Sequence, residues 1–236
     1  HLMGVVRLIE DSSYLKFTGL HFHIGSQILN MDNFKDLALK VNVILADLYD
    51  EGIDIKHINL GGGLGIDYQN PTGNPIPDFR SYFQLFRDEL QLDVHQEVHF
   101  ELGRSIVGQC GDLHTKVLFV KQGVSKQFAI VDAGMTDLIR PALYQASHEI
   151  IKLNAGVNEE QLEYDIVGPI CESSDVFRKS YSIEKLKRGD ELIIKSAGAY
   201  GEVMVSEYNL RSRPEVYYKK DTSMATIASG EHILMN

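Results

Sequence analysis

Several short polar segments carry side chains able to do chemistry. In His21-Phe22-His23-Ile24-Gly25-Ser26, strand-like alternation puts both imidazoles on one face and leaves Ser26 in the loop that follows. An imidazole at a strand end can stack on a flat aromatic ligand, or it can be a hydrogen-bonded structural group. Gly61-Gly62-Gly63-Leu64-Gly65 follows an apolar run. Glycines there let backbone N–H groups approach an anion such as phosphate, and they equally suit a tight strand-to-helix turn. Glu101-Leu102-Gly103-Arg104 sets a carboxylate and a guanidinium at a strand end, as a ligand site or as a salt bridge.

Two turn-rich segments, 132–141 and 168–175, lie in otherwise apolar sequence. Function concentrates in such loops. Cys171 beside Glu172 could donate a proton or act as a nucleophile, although a lone cysteine is usually a buried, inert thiol, which is the reading that context-free chemistry favours here.

The elements that must position these groups change character along the chain. Up to about residue 108, strand-sized apolar runs at 15–24, 55–60 and 97–101 alternate with amphipathic stretches. One predicted helix covers about 31–51, with Phe34, Leu37, Ala38, Val41, Ile44, Leu45 and Leu48 at helical spacing and Asp32 or Asn33 as its cap. A second covers about 78–90, with Phe79, Tyr82, Phe83, Phe86 and Leu90 inward. This reads as strand–helix–strand units with parallel strands. Beyond residue 108 the pattern becomes β-rich, with strands predicted at 113–121, 128–132, 164–167 and 191–195, while 143–151 fits either helix or strand. Three strands cannot close a barrel, which takes about eight strand–helix units and roughly 250 residues.

The 236 residues are 44% hydrophobic, ordinary for a chain that buries a core, and net charge is -10 with a pI near 5.3. No cluster of Lys and Arg offers an electrostatic footprint for nucleic acid, and no apolar run reaches the roughly 20 residues that span a bilayer. Cys110 and Cys171 have no partner at metal-ligand or disulfide-framework spacing, which favours a reducing, cytoplasmic location and no metal. His1-Leu2-Met3 reads as residual cloning sequence outside the fold, and the short lead to Tyr14 as a cut rather than a natural start.

Taken in order, the segments H-F-H-I-G-S-Q, N-L-G-G-G-L-G, F-E-L-G-R-S, D-A-G-M-T-D-L-I-R-P-A-L-Y, G-P-I-C-E-S-S-D and G-A-Y-G resemble the diaminopimelate decarboxylases, over the stretch from about Phe17 to Glu215. The resemblance implies an α/β plus β fold: residues 1–108 as the later part of a (β/α)8 TIM-type barrel that binds pyridoxal 5'-phosphate, and 109–236 as a mainly β domain contributing to the active site and a dimer interface. It implies decarboxylation of meso-2,6-diaminopimelate to L-lysine. The alternatives are a related ornithine, arginine or carboxynorspermidine decarboxylase, or a non-catalytic regulatory paralogue.

By the same resemblance His23 stacks on the pyridine ring, Ser26, Gly62, Gly63, Gly103 and Arg104 surround the phosphate, and Glu101 bonds the ring nitrogen. Arg104, Arg140 and Tyr144 bind the distal amino-acid end, Glu172 takes the distal ammonium, and Tyr200 touches cofactor and substrate. Cys171 returns a proton to the α-carbon, reaching the site with Glu172 from the second subunit of a homodimer. The sequence departs from the family at Leu102, where proline is usual, and no lysine stands in a motif matching the one that holds the cofactor covalently.

Overall fold

The computed structural model describes residues 2–220 and 223–227. Its contacts divide the chain into two units: one runs to Asp67 and resumes at Thr72–Val107, and the other comprises Tyr68–Pro71 and the chain from Gly108 onward.

In the first unit, strands β1 (Gly19–His21), β2 (His57–Asn59) and β3 (Glu97–His99) form a parallel sheet in the order β1-β2-β3. Helices α1 (Leu2–Glu10), α2 (Asp32–Asp50), α3 (Phe79–Glu89) and the short α4 (Arg104–Val107) complete it. The register aligns Leu20, Ile58 and Val98. These central residues join the apolar core with Phe34, Val41 and Tyr82, while their strand neighbours turn polar side chains to the other face. An edge-to-face aromatic set anchors the core, with Phe34 and Tyr82 ring centroids 4.9 Å apart at 84°.

Helix boundaries follow local chemistry. At the start of α2 it is the Asn30 side chain that accepts the Asp32 N–H at 2.9 Å, so the cap expected from Asp32 or Asn33 comes from the residue that can fold back two positions. At its end Gly52, with φ +73°, reverses the chain and the Ile53 N–H returns to the Leu48 carbonyl. Asp78 caps α3 by accepting the Ser81 N–H at 2.9 Å. Phe83, expected inward, is 38% exposed, because the inward face of α3 is already filled by Tyr82 and Phe86.

Two further expectations are corrected here. Leu2 and Met3 belong to α1, and Met3 packs against the core with the fully buried Val6, so they are part of the fold. The strands are also shorter than the apolar runs, since only three residues of each align in parallel register.

The second unit is a mixed six-stranded sheet in the order β6-β9-β4-β5-β7-β8, built from β4 (Leu113–Gln122), β5 (Gln127–Val131), β6 (Ile150–Lys152), β7 (Gln161–Val167), β8 (Val176–Glu184) and β9 (Glu191–Ile194). Only the β5–β7 pair is parallel among these ladders. The ambiguous stretch divides: α5 (Arg140–Tyr144) ends at Gln145 in the left-handed conformation, and β6 follows after a short extended stretch. A hairpin of β10 (Val216–Lys220) and β11 (Ser223–Ile227) closes the described chain. Strand β8 went unrecognised in sequence because Arg178, Lys179, Ser180 and Ser182 break its apolar signal. Tyr68–Pro71 joins this unit because the Tyr68 ring meets His148 at 4.7 Å and its carbonyl accepts the Glu149 N–H.

Candidate functional site

In the first unit the sequence-predicted residues gather where β1, β2 and β3 end. The 61–65 loop departs from β2 with Gly61 at φ +71° and Gly63 at φ +105°. A Cβ at Gly62 would overlap the Glu101 carbonyl oxygen, and one at Gly63 would lie 2.5 Å from the Gly25 carbonyl oxygen. The loop is therefore pressed against the 25 and 101 segments by backbone, which only glycine permits. Gly103 differs: nothing lies within 4 Å of where its Cβ would stand.

Glu101 follows β3. Its backbone N–H donates to the Gly61 carbonyl at 2.8 Å, its Oε1 accepts from Asn59 Nδ2 at 2.9 Å, and its Oε2 lies 3.1 Å from His21 Nε2. Arg104, at the start of α4, donates from Nη2 to the Ser26 hydroxyl at 3.1 Å. His23 is exposed beside Gly61. Glu101 and Arg104 thus serve different neighbours, which a spacing of three positions in sequence does not reveal.

The same polar sheet face carries a cluster missed in the sequence. His57 Nδ1 lies 3.0 Å from His99 Nε2 and 3.5 Å from Glu97 Oε2. These donors have metal-ligand spacing. The Lys56 ammonium, 2.8 Å from Glu97 Oε1, holds that carboxyl below its ordinary range, and the two imidazoles bond each other. Strand alternation from His57 and His99 was the available signal.

The second unit carries the other predicted residues in two places. Arg140 opens α5, is only 5% exposed, and has its guanidinium carbon 5.3 Å from the Tyr68 ring, 5.5 Å from Tyr144 and 5.9 Å from Tyr200. Such ring faces stabilise a desolvated cation. Tyr68 was the member of this set that sequence reading missed. Tyr144 and Tyr200 stay partly exposed, and Tyr200 sits in the left-handed region at φ +59°.

Cys171 and Glu172 lie on the turn of 168–175. Cys171 is exposed, which corrects the expectation of a buried thiol: the turn projects it outward while Ile170 and Asp175 point inward. Glu172 Oε1 accepts from the Tyr208 hydroxyl at 2.6 Å, and this bond raises the Tyr208 pKa. Asp175, 3% exposed, accepts N–H groups from Ile170 at 2.7 Å and Met135 at 2.6 Å. It joins the turn bearing Cys171 and Glu172 to the 132–141 loop that leads into Arg140. Burial is the largest influence on Asp175 and raises its pKa above 3.8.

The family profile described as "Pyridoxal-dependent decarboxylase, C-terminal sheet domain" matches residues 22–198, and the chain belongs to that family. Within it, the chain is similar to diaminopimelate decarboxylases. It is 55% identical over 214 residues to that of Bacteroides thetaiotaomicron, covering 90% of this chain and 55% of the relative. To that of Aquifex aeolicus it is 41% identical over 218 residues, covering 92% and 51%. The solved diaminopimelate decarboxylase of Helicobacter pylori complexed with L-lysine superposes with a TM-score of 0.85 at 36% identity, covering 95% of this chain and 55% of that one. The chain spans about half the length of the curated relatives it matches. No helix among the described residues is long and apolar enough to cross a membrane.

Proposed function

We propose that this chain carries cofactor- and substrate-binding residues of a pyridoxal-phosphate-dependent enzyme that decarboxylates meso-2,6-diaminopimelate to L-lysine and carbon dioxide. In this reading the three parallel strands are part of a (β/α)8 barrel, and the enzyme is a cytoplasmic homodimer. The observation that carries it is Arg140, a buried guanidinium framed by Tyr68, Tyr144 and Tyr200. A planar fork of this kind matches a carboxylate through two parallel bonds, and diaminopimelate has a distal carboxylate where ornithine and lysine have none.

The first unit's residues fit pyridoxal phosphate. The close-packed backbone of Gly62 and Gly63, the open space at Gly103, and the joined Ser26 and Arg104 side chains suit a phosphate. His23, exposed beside Gly61, is the ring that stacks on the pyridine in this reading. When bound, the pyridinium ring draws in the electron pair released as the substrate's α-carboxylate leaves as carbon dioxide. Glu101, as a carboxylate, holds the proton on the ring nitrogen.

Glu172 receives the distal ammonium, and Tyr208 fixes one of its oxygens for that task. Exposed Cys171 returns a proton from Sγ to the α-carbon across the dimer interface. The 55% identity to the Bacteroides thetaiotaomicron relative supports diaminopimelate over the other decarboxylase substrates.

The test is to supply the purified full-length protein and pyridoxal phosphate with meso-diaminopimelate, L-ornithine or L-arginine and to assay carbon dioxide and the amine product. Carbon dioxide and L-lysine in equal amounts from diaminopimelate are expected. Release only from ornithine or arginine would replace the reading with a related decarboxylase, and no release from any substrate with cofactor bound would make the chain a regulatory paralogue.

A further inference from the structure

Glu101 is gripped from both sides by residues that no comparison assigns a role. Its two carboxylate oxygens each meet one side chain: Asn59 Nδ2 at 2.9 Å and His21 Nε2 at 3.1 Å. The orientation of the Asn59 amide is fixed by the backbone, because its Oδ1 already accepts the Gly61 N–H at 2.8 Å and so its NH₂ must face Glu101. The parallel register sets Asn59 directly opposite His21 on β1, so both reach the carboxylate from adjacent strands. The Gly61 carbonyl in turn accepts the Glu101 N–H at 2.8 Å.

From this geometry we infer that His21 and Asn59 are positioning residues for Glu101. They hold its carboxylate in one rotamer, supply one donor to each oxygen, and leave a lone pair for the protonated nitrogen of an aromatic ring. The inference rests on the proposed role of Glu101 toward that ring. A donor to each oxygen fixes the direction of the carboxylate, and His21 serves as that donor in the tautomer with its proton on Nε2. Asparagine is needed at position 59 for a specific reason. Aspartate could still accept from Gly61, but it would remove the donor and set a second negative charge against Glu101. His21 is half exposed, and its replacement should not compromise the core.

The experiment uses the full-length holoenzyme and its His21→Phe, His21→Gln, Asn59→Asp and Glu101→Gln variants. Three readouts are taken: kcat, KM, and the pH dependence of the bound cofactor's visible absorption band. His21→Phe and Asn59→Asp should each lower kcat about tenfold or more with little change in KM, as for the loss of a hydrogen bond to a charged group. Each should also shift the band's pH dependence in the direction that Glu101→Gln shifts it. His21→Gln retains an N–H donor and should recover part of both effects. If Glu101→Gln alters the band and kcat while the His21 and Asn59 variants behave as wild type, the positioning roles are wrong and the reading of Glu101 stands. If Glu101→Gln itself changes neither, both fall together.

Discussion

The Asp175 carboxylate accepts the Met135 N–H at 2.6 Å, tying two loops that are 40 positions apart in sequence. Its other oxygen accepts the Ile170 N–H at 2.7 Å, and Gly168 is kept free of a side chain by the same carboxylate, which would collide with any Cβ there. One buried acid therefore sets the path of the turn that presents Cys171 and Glu172.

Burial raises the Asp175 pKa above 3.8 despite the two N–H donors, so the folded state favours the protonated form relative to the unfolded chain. Its contribution to stability is then fully present below pH 3.8 and is lost as pH rises through the folded-state value. The stability of wild type relative to Asp175→Asn, which does not titrate, should fall across that window. Urea unfolding of both proteins from just below pH 3.8 to neutrality measures it, and a difference that grows with pH would contradict the assignment.

Gly63 and Gly103 are expected to separate under substitution. Gly63→Ala forces a side chain into φ +105° and against the Gly25 carbonyl, and should cost about 2 kcal/mol or more of stability. Gly103→Ala has room and should leave the melting temperature nearly unchanged. If the open space at Gly103 admits the phosphate, the same substitution should weaken pyridoxal phosphate binding. Thermal melts and cofactor titrations of the two variants distinguish packing from ligand approach.

The Tyr82 hydroxyl is buried with no hydrogen-bond partner among the described residues, and burial pushes its pKa up to about 12. Tyr82→Phe keeps the ring contacts with Phe34, Phe86 and Phe100 and removes only an unsatisfied polar group. It should gain about 1 kcal/mol in chemical unfolding. A loss of similar size would reveal a partner for the hydroxyl.

Cys171→Ala should slow turnover about 10²-fold or more while the absorbance of bound cofactor stays unchanged, as for loss of a positioned proton donor. An unaltered rate would remove the thiol from the mechanism.

The periodic signals carried the framework. Phe34, Leu37, Ala38, Val41 and Leu48 lie on the buried face of α2 as their spacing requires, and the runs around Ile58 and Val98 became parallel strands. Relationships between distant segments were not legible. The Glu101 grip joins residues 80 and 42 positions apart, and Tyr68 reaches Arg140 from a loop that sequence texture assigns to the preceding strand–helix pattern. Helix α1 was not legible because His1-Leu2-Met3 read as cloning sequence and the residues up to Tyr14 as a short lead, although Val6 is completely buried. Motif order picked out the candidate site residues, but it did not indicate which neighbour each one serves.

The central claim is that Arg140 selects a substrate by its distal carboxylate. The most direct test compares kcat/KM for meso-diaminopimelate and D-lysine, which keeps the reacting D-configured α-carbon and lacks only the distal carboxylate, in the full-length holoenzyme and its Arg140→Ala variant. The account predicts a wild-type preference for diaminopimelate of roughly 10²-fold or more, as expected of a site built to bond a polar group, and its collapse in the variant. Comparable turnover of the two substrates by wild type, or a preference that survives the loss of Arg140, would contradict it.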